Sequence, residues 1–267
     1  MKIAITGSGG MIGTCLQNHL SEQGHEVAGL HRGVLDLTDV SAVDNFFQSQ
    51  SFDLVIHGAL YGRETVRNNQ IDMYDVNMQM FNNLHAYRHR YKKLINLGSG
   101  TEYDTSRNID HADENDIYLV DPANHYDRVK NHISRICCDT ENFITLRMFG
   151  VMSHTEASNR FFKHLYESDR FVIKNDRYFD FINLEDLLPV VDAVINGQIT
   201  DKQLNIVYAE KIKLSELARM FCSINKLNYD KIVIDSPTGL NYTGKSDLLD
   251  KYQITQTGIQ ASMEKYQ

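Results

Sequence analysis

The sequence lacks tryptophan, and its 267 residues include only three prolines and four cysteines. So few prolines leave no rigid linker visible, so any two domains are expected to pack tightly. The cysteines, Cys15, Cys137, Cys138 and Cys222, form no CxxC pair, and adjacent cysteines are poorly placed for a disulfide. We therefore expect free thiols in the cytoplasm and no structural metal site.

Basic residues are outnumbered, and long apolar runs are missing. The 27 Lys and Arg stand against 35 Asp and Glu, a formal net charge of −8, whereas nucleic-acid-binding proteins usually carry a basic surplus. The basic run at residues 88–93 is expected to be the solvated end of a helix. No apolar stretch is long enough to cross a bilayer, and residues 2–6 resemble a folded strand rather than a signal peptide. We expect neither nucleic acid nor a membrane as a partner.

What the sequence does contain is a regular alternation of apolar and amphipathic stretches. The strand-like runs are Lys2–Thr6, Glu26–Leu30, Asp53–His57, Lys93–Leu97 and Phe143–Met148. The helix-like stretches are Met11–Gln23, Val40–Gln50, Ile71–Tyr91 and Tyr126–Thr140. This alternation predicts an α/β fold with a parallel sheet, and such sheets bind ligands outside the carboxyl ends of their strands.

Beyond residue 150 the rhythm changes. Helices are predicted over Asn159–Glu167, Glu185–Asn196, Leu214–Asn225 and Thr257–Tyr266, with short extended pieces over Arg170–Phe181 and a strand over Leu204–Tyr208. We predict a first domain of residues 1–150, to which residues 179–208 return. Residues 151–178 and 209–267 then form a smaller second domain.

Gly7, Gly10 and Gly13 are spaced three residues apart where the first strand ends and the first helix begins. Glycine permits a tight turn and a close approach by a ligand, and a helix N-terminus attracts phosphate. This context favours a dinucleotide-binding turn over an ordinary glycine-rich turn. The second strand ends at His31 and Arg32 without a carboxylate. We therefore expect NADP, bound through its 2′-phosphate, in preference to NAD, although Arg32 could simply be solvated.

A tyrosine and a lysine four residues apart, Tyr126 and Lys130, fall on one face of the fourth helix. A lysine ammonium beside a phenol stabilises the phenolate, which makes such a pair usable for proton transfer. Ser99 follows the fourth strand, at the ligand-binding edge, and could hydrogen-bond the same substrate oxygen. An exposed Tyr–Lys pair without function has the same spacing, so the three residues together carry the prediction.

In this order the motifs resemble the extended short-chain dehydrogenase/reductases. The matching segments are TGSGGMIG (6–13), VIHGA (55–59), Asn77 in DVNMQ, GSGTEY (98–103), YDRVK (126–130), LRMFG (146–150), FDFINLEDL (179–187) and KLSELA (213–218). The segment at 34–47 is most similar to that of the nucleotide-sugar 4-keto reductases. The resemblance implies a Rossmann doubly wound parallel sheet with a smaller C-terminal α/β substrate-binding domain. It also implies an NADPH-dependent reductase of a 4-keto (6-deoxy) nucleotide sugar.

The resemblance assigns roles to individual residues. It implies that Ser99, Tyr126 and Lys130 are catalytic and that Thr101, Tyr126 and Arg177 contact the substrate. The residues implied to bind the cofactor are Gly7, Gly10, Met11, Ile12, Gly13, His31, Arg32, Asp36, Leu37, Gly58, Ala59, Leu60, Tyr126, Lys130 and Phe149. It further implies a homodimer formed by the helices that carry Asn77 and Tyr126. The apolar stripe Met73, Met78, Phe81, Leu84 and Tyr87 could serve that interface or the core.

Departures from the family pattern leave alternatives open. Thr101 stands where the reductases that also epimerise their sugar carry a cysteine, so double epimerisation is not expected. Phe179 replaces the arginine that usually holds the substrate diphosphate, with Arg177 two positions earlier. One alternative is an NAD-dependent nucleotide-sugar epimerase or dehydratase. Another is a non-catalytic NAD(P)-binding redox sensor, although such proteins tend to lose the Tyr–Lys pair.

Overall fold

A computed structural model describes residues 1–62 and 70–266. The strands in chain order are β1 (Lys2–Thr6), β2 (Glu26–Leu30), β3 (Phe52–His57), β4 (Tyr91–Ser99), β5 (Ile109–Ala112), β6 (Phe143–Met148), β7 (Gly150–Met152), β8 (Phe171–Ile173), β9 (Phe181–Asn183), β10 (Gln203–Ile206), β11 (Ile232–Ile234) and β12 (Tyr242–Gly244). The helices are α1 (Met11–Glu22), α2 (Val40–Ser49), α3 (Gln70–Ala86), α4 (His125–Asp139), α5 (Phe161–Glu167), α6 (Leu187–Ile195), α7 (Leu214–Ile224), α8 (Asp247–Lys251) and α9 (Ile259–Glu264).

The main sheet has six strands in the order β10-β6-β4-β3-β1-β2. β1 runs parallel to β2 and β3, and β3 runs parallel to β4. Helices α1 and α2 connect the first three strands, and the order of strands reverses at β1. This confirms the parallel α/β sheet that the alternating sequence predicts and the doubly wound Rossmann order that the resemblance implies.

Both faces of this sheet are covered. Ala4 packs in a buried cluster with side chains from α2, α3 and α4, including Phe47, Phe81 and Val129. Its neighbours Ile3 and Ile5 are also fully buried, and alternation along a strand directs them to the opposite face. Burial on two faces explains why these strands are almost continuously apolar.

The prediction that the basic run at residues 88–93 is the solvated end of a helix is wrong for its second half; in its first half, Arg88 donates to the His85 carbonyl oxygen in the last turn of α3. α3 ends at Ala86, Arg88–Arg90 form a single 3₁₀ turn, and β4 already begins at Tyr91. Tyr91 is buried, and its hydroxyl donates to the Leu84 carbonyl oxygen at 2.9 Å. Strand β4 therefore begins at the buried Tyr91, two residues before the predicted start at Lys93.

The chain forms two compact units. The first contains residues 1–104, 117–146 and 201–203, and the second contains residues 105–116, 147–200 and 204–267. Residues 105–116, 147–150 and most of 179–208 thus group with the second unit rather than with the first. The second unit has its own apolar cluster, which includes Phe162, Phe221 and Tyr266. Which unit binds a cofactor and which a substrate stays a prediction.

Short parallel pairs of strands build much of the second unit. β7 pairs with β9, β5 with β12, and β8 with β11. Strands of three or four residues are too short to show a period in the sequence, so β5, β7, β11 and β12 had no separate predictions. The predicted helices at 159–167, 185–196 and 214–225 correspond to α5, α6 and α7.

Candidate active site

The turn between β1 and α1 requires glycine at two of the three positions that the motif predicts. Gly7 has a φ of +71°, and a Cβ there would lie 2.7 Å from the Gly58 carbonyl. A Cβ at Gly13 would lie 2.3 Å from the Gly7 carbonyl oxygen. Gly10 differs, because its φ is −85° and its Cβ would lie 3.4 Å from the same oxygen. The close packing of backbone against backbone thus depends on Gly7 and Gly13.

Gly10 caps α1, and Met11, Ile12 and Gly13 form the first turn of that helix. The turn carries no acidic residue, and no side chain caps it. The first N–H groups of a helix have no partner within the helix and carry a partial positive charge. This end of α1 is therefore suited to the diphosphate of a dinucleotide.

A second loop, after β3, packs against the glycine turn through Gly58 and Ala59. Both backbone N–H groups donate to Thr6 Oγ1 at 3.2 Å. Thr6 Oγ1 lies 2.9 Å from His57 Nδ1. Burial, helped by the charge of Lys130, lowers the pKa of His57 to about 3. Nδ1 of neutral His57 can accept a hydrogen bond from the Thr6 hydroxyl. That hydroxyl then accepts hydrogen bonds from two N–H groups and donates one to His57.

A cavity of about 440 Å³ opens beside the glycine turn. Its walls are the glycine turn, the segment after β2, residues 59–61 and one side of α3. Eight of the predicted cofactor residues line it: Gly7, Gly10, His31, Arg32, Asp36, Leu37, Ala59 and Leu60. The volume lies in the range of small-molecule sites. Apolar walls from Leu30, Leu35 and Met80 fit the flat face of a nucleobase. The residues present therefore fit the adenosine half of a dinucleotide.

Arg32, which lines this cavity, has an acidic neighbour four residues further along the chain. Its Nε lies 3.2 Å from Asp36 Oδ2, and the Arg32 side chain is 75% exposed. Asp36 Oδ1 accepts from the backbone N–H and the hydroxyl of Thr38 at 3.0 and 2.7 Å. These bonds to Thr38, with Arg32, lower the pKa of Asp36. The expected clamp for a 2′-phosphate thus has a carboxylate beside it.

Ser99 lies at the end of β4 and starts a single 3₁₀ turn, Gly100–Tyr103. Its side chain is almost buried, and its Oγ accepts from Thr101 Oγ1 at 3.2 Å and from the Thr101 backbone N–H at 3.4 Å. Because Thr101 supplies the protons, the Ser99 hydroxyl keeps its own proton to donate elsewhere.

Helix α4 packs against this turn and carries the predicted Tyr–Lys pair. Asn124 caps the helix, because its side chain accepts from the backbone N–H groups of Tyr126 and Asp127 at 2.9 and 3.3 Å. One turn later Lys130 Nζ donates to the Leu97 carbonyl oxygen at 2.6 Å. Ser99, Tyr126 and Lys130 therefore belong to one unit, with β4 and α4 joined two residues before Ser99.

Phe149 and Arg177, predicted to contact cofactor and substrate, belong to the second unit. The Phe149 ring lies 4.9 Å from that of Tyr242, edge to face. The Arg177 guanidinium lies 5.2 Å from the Phe179 ring, and its Nη1 donates to the Leu240 carbonyl oxygen at 3.2 Å. A cation is thus held over the residue that replaces the family's arginine.

Several residues of the site region were missed by sequence reasoning. They are Thr6, His57, Glu102 and Asn131, all buried polar side chains that bond the turns described above. A histidine ending the apolar run VIH was a usable signal, since a polar residue there must find a partner.

Within the described part of the chain no cluster of His, Cys, Asp and Glu could hold a metal ion, and no helix is long and apolar enough to cross a membrane. All four cysteines are free thiols.

The fold is similar to that of several solved enzymes. MlghC, a GDP-mannoheptose C4 reductase from Campylobacter jejuni with NADP bound, matches with a TM-score of 0.83 and 21% identity, over 99% of this chain and 96% of that one. A dTDP-4-dehydrorhamnose reductase from Clostridium acetobutylicum matches with a TM-score of 0.82 and 19% identity, over 100% and 98%. At these identities the likeness shows the fold alone.

A curated relative and a family model match the sequence itself. GDP-L-colitose synthase from Yersinia pseudotuberculosis is 32% identical over 107 residues, which are 39% of this chain and 35% of that protein. The matched region thus spans about a third of the relative. The model of the NAD dependent epimerase/dehydratase family matches residues 3–206, which is most of the chain. The chain therefore belongs to the NAD dependent epimerase/dehydratase family.

Proposed function

We propose that this chain is an NADPH-dependent reductase of a 4-keto (6-deoxy) nucleotide sugar. The observation that carries the proposal is the joining of β4 and α4 around Ser99, through the Lys130 bond to the Leu97 carbonyl oxygen. Ser99, Tyr126 and Lys130 are the proposed catalytic residues. The names of the similar enzymes, reductases of GDP- and dTDP-linked sugars, support this substrate class.

In the proposed reaction each side chain has one task. The hydride for the carbonyl carbon of the sugar is the chemistry that NADPH would supply when bound. The Tyr126 phenol gives its proton to the carbonyl oxygen, so the ketone becomes an alcohol. Ser99 donates a hydrogen bond to that oxygen, and this bond strengthens as negative charge develops there. Lys130 has three donors and uses one on Leu97, which leaves two for the phenol and for a ribose hydroxyl.

The cofactor residues in this proposal are the eight that line the 440 Å³ cavity, with Met11, Ile12, Gly13 and Gly58 beside them and with Lys130, Tyr126 and Phe149. Arg32 is proposed to bind the 2′-phosphate through its terminal nitrogens. Its Nε bonds Asp36, and the two terminal nitrogens have no partner among the residues that the structure describes. In the second unit, Arg177 is the proposed cation for the substrate phosphates, and Thr101 contacts the sugar.

A second candidate is an NAD-dependent epimerase on the same site. The observation that favours it is Asp36, whose carboxylate lies at the cavity beside Arg32 and could accept from the hydroxyls of an unphosphorylated ribose. The two candidates differ in outcome, because an epimerase returns its hydride and consumes no cofactor overall.

We also propose a cytoplasmic homodimer that uses α3 and α4. The four free thiols support the compartment. In the apolar stripe of α3 and Tyr87, which directly follows it, Phe81 and Leu84 are fully buried inside the chain, whereas Met73, Met78 and Tyr87 keep partly exposed surface for a partner. Light scattering that shows a monomer at high concentration would contradict the dimer.

The proposed function is tested by mixing the purified protein with NADPH and a panel of GDP- and dTDP-linked 4-keto-6-deoxy sugars. The expected result is loss of NADPH absorbance and a product with a new hydroxyl at carbon 4. Mass spectrometry of small molecules that co-purify identifies the cofactor and nucleotide independently. Isomerisation without loss of cofactor would favour the epimerase, and no turnover with any sugar would contradict both.

A further inference from the structure

The turn that carries Ser99 encloses a carboxylate. Glu102 has no exposed surface, and its Oε1 accepts a bond of 2.8 Å from the Ser99 backbone N–H. The side chain folds back over its own turn and closes a capping box with Ser99. A buried carboxylate is costly unless it is hydrogen-bonded. The turn is therefore held in the conformation in which this bond forms.

Helix α4 also bonds the turn Gly100–Tyr103, through Asn131. Asn131 is fully buried, and its Nδ2 donates to the Glu102 carbonyl oxygen at 2.8 Å and to the Ile117 carbonyl oxygen at 2.9 Å. Asn131 directly follows Lys130, which bonds the Leu97 carbonyl oxygen. Two consecutive residues of α4 thus contact the backbone on either side of Ser99.

We propose that Glu102 and Asn131 are positioning residues that hold the Ser99 hydroxyl in place relative to the helix that carries Tyr126. Neither residue contacts the substrate in this proposal; both act through Ser99. The inference rests on the proposed function, because a fixed Ser99 matters for turnover only if its hydroxyl meets the substrate carbonyl. A donor stabilises a developing charge well only when it is already oriented toward it.

The first test is a double-mutant cycle on turnover. Glu102→Leu removes the acceptor and keeps an apolar side chain of similar length, so kcat should fall about 10-fold to 10²-fold, as misplaced catalytic groups do. Glu102→Gln keeps an oxygen for the Ser99 N–H and should recover most of kcat. In a Ser99→Ala background, Glu102→Leu should cost about 2-fold or less, because there is no hydroxyl left to position. Asn131→Ala provides the same cycle should Glu102→Leu not fold.

The second test reads the turn itself and does not need an active enzyme. Hydrogen exchange of the Ser99 amide, compared with that of Ile95 in the same strand, should accelerate about tenfold in Glu102→Leu, as expected for the loss of one hydrogen bond. Tyr91→Phe is the matched control, because it removes a buried hydrogen bond of the same unit, to Leu84, away from the turn. It should lower stability without changing the ratio of Ser99 to Ile95 exchange.

The outcomes separate the two proposals. Equal losses of kcat from Glu102→Leu with and without the Ser99 hydroxyl would overturn the positioning role, as would an unchanged exchange ratio. Wild-type protein that turns over no sugar, while the exchange ratio changes as expected, would contradict the proposed function and leave the structural role of Glu102 supported.

Discussion

The turn after β1 and the turn after β4 both leave the carboxyl end of a strand in the same sheet, but different contacts fix their shapes. In the first turn, backbone packs on backbone, with Gly13 against the Gly7 carbonyl at a distance that no side chain permits. In the second turn, side-chain hydrogen bonds fix the backbone: Glu102 accepts from the Ser99 N–H, and Asn131 donates to the Glu102 carbonyl oxygen. The first turn therefore depends on glycines, which have no side chain, and the second depends on buried polar side chains.

This difference matches what each turn is proposed to do. A backbone turn at a helix N-terminus presents N–H groups at fixed places and can bind phosphate without a charged side chain. A turn held by side chains can aim one hydroxyl, as the reduction of a carbonyl requires. Substitutions in the first turn should therefore change binding of the cofactor, and substitutions around the second should change turnover.

The largest expected effect is that of Tyr126→Phe on turnover. Loss of a proton donor typically lowers a rate by about 10²-fold to 10⁴-fold. Affinity for NADPH should remain nearly unchanged, because the phenol acts mainly in the transition state. Steady-state kinetics and a fluorescence titration of NADPH measure the two quantities. Tyr118→Phe, at a tyrosine that is 45% exposed, is the matched control. Wild-type turnover in Tyr126→Phe would show that Tyr126 and Lys130 are a surface pair without a catalytic role.

A smaller but still large effect is expected from Gly13→Ala. Its new methyl group would meet the Gly7 carbonyl oxygen at 2.3 Å, and forcing backbone apart in a packed region costs about 1–3 kcal/mol. Both stability and NADPH affinity should fall. Gly10→Ala adds the same methyl group at 3.4 Å in the same turn, so it should change both much less. Urea unfolding and cofactor titration test the pair, and equal effects of the two variants would break the contrast between the turns.

The sequence predicted the backbone turn far better than the side-chain turn, and the reason is physical. A glycine spacing next to an apolar strand is a local signal, so the turn of Gly7 and Gly13 could be read from a few consecutive residues. The partner of Glu102 is Asn131, and only the packing of α4 brings them together. Asp36 differs, because it lies only four residues after Arg32 and meets it through a local turn shaped by Thr38.

The cofactor preference is expected to change by a moderate amount when Arg32 or Asp36 is replaced. Arg32→Ala should weaken NADPH binding about tenfold, because it removes one charge-assisted hydrogen bond to the 2′-phosphate. The affinity for NADH should change little. Asp36→Asn should act in the opposite direction, because it removes the negative charge beside the guanidinium. Titrations with both cofactors measure the ratio. If Arg32→Ala leaves that ratio unchanged, Arg32 is a solvated surface residue.

The smallest effect concerns His57, a buried side chain that bonds Thr6 behind the backbone turn. Burial lowers the pKa of His57 from its ordinary 6.5 to about 3, so between these values the unfolded chain binds a proton that the folded chain excludes. Stability from this group is complete above about pH 6.5 and declines as the pH falls toward about 3. From about pH 7 to about pH 5.5 the loss should be about 1 kcal/mol. His57→Asn has no such proton to gain and can still accept from Thr6, so urea unfolding should show a shallower pH dependence for the variant. Parallel losses of stability in the two proteins would mean that His57 is not held neutral behind the loop of Gly58 and Ala59.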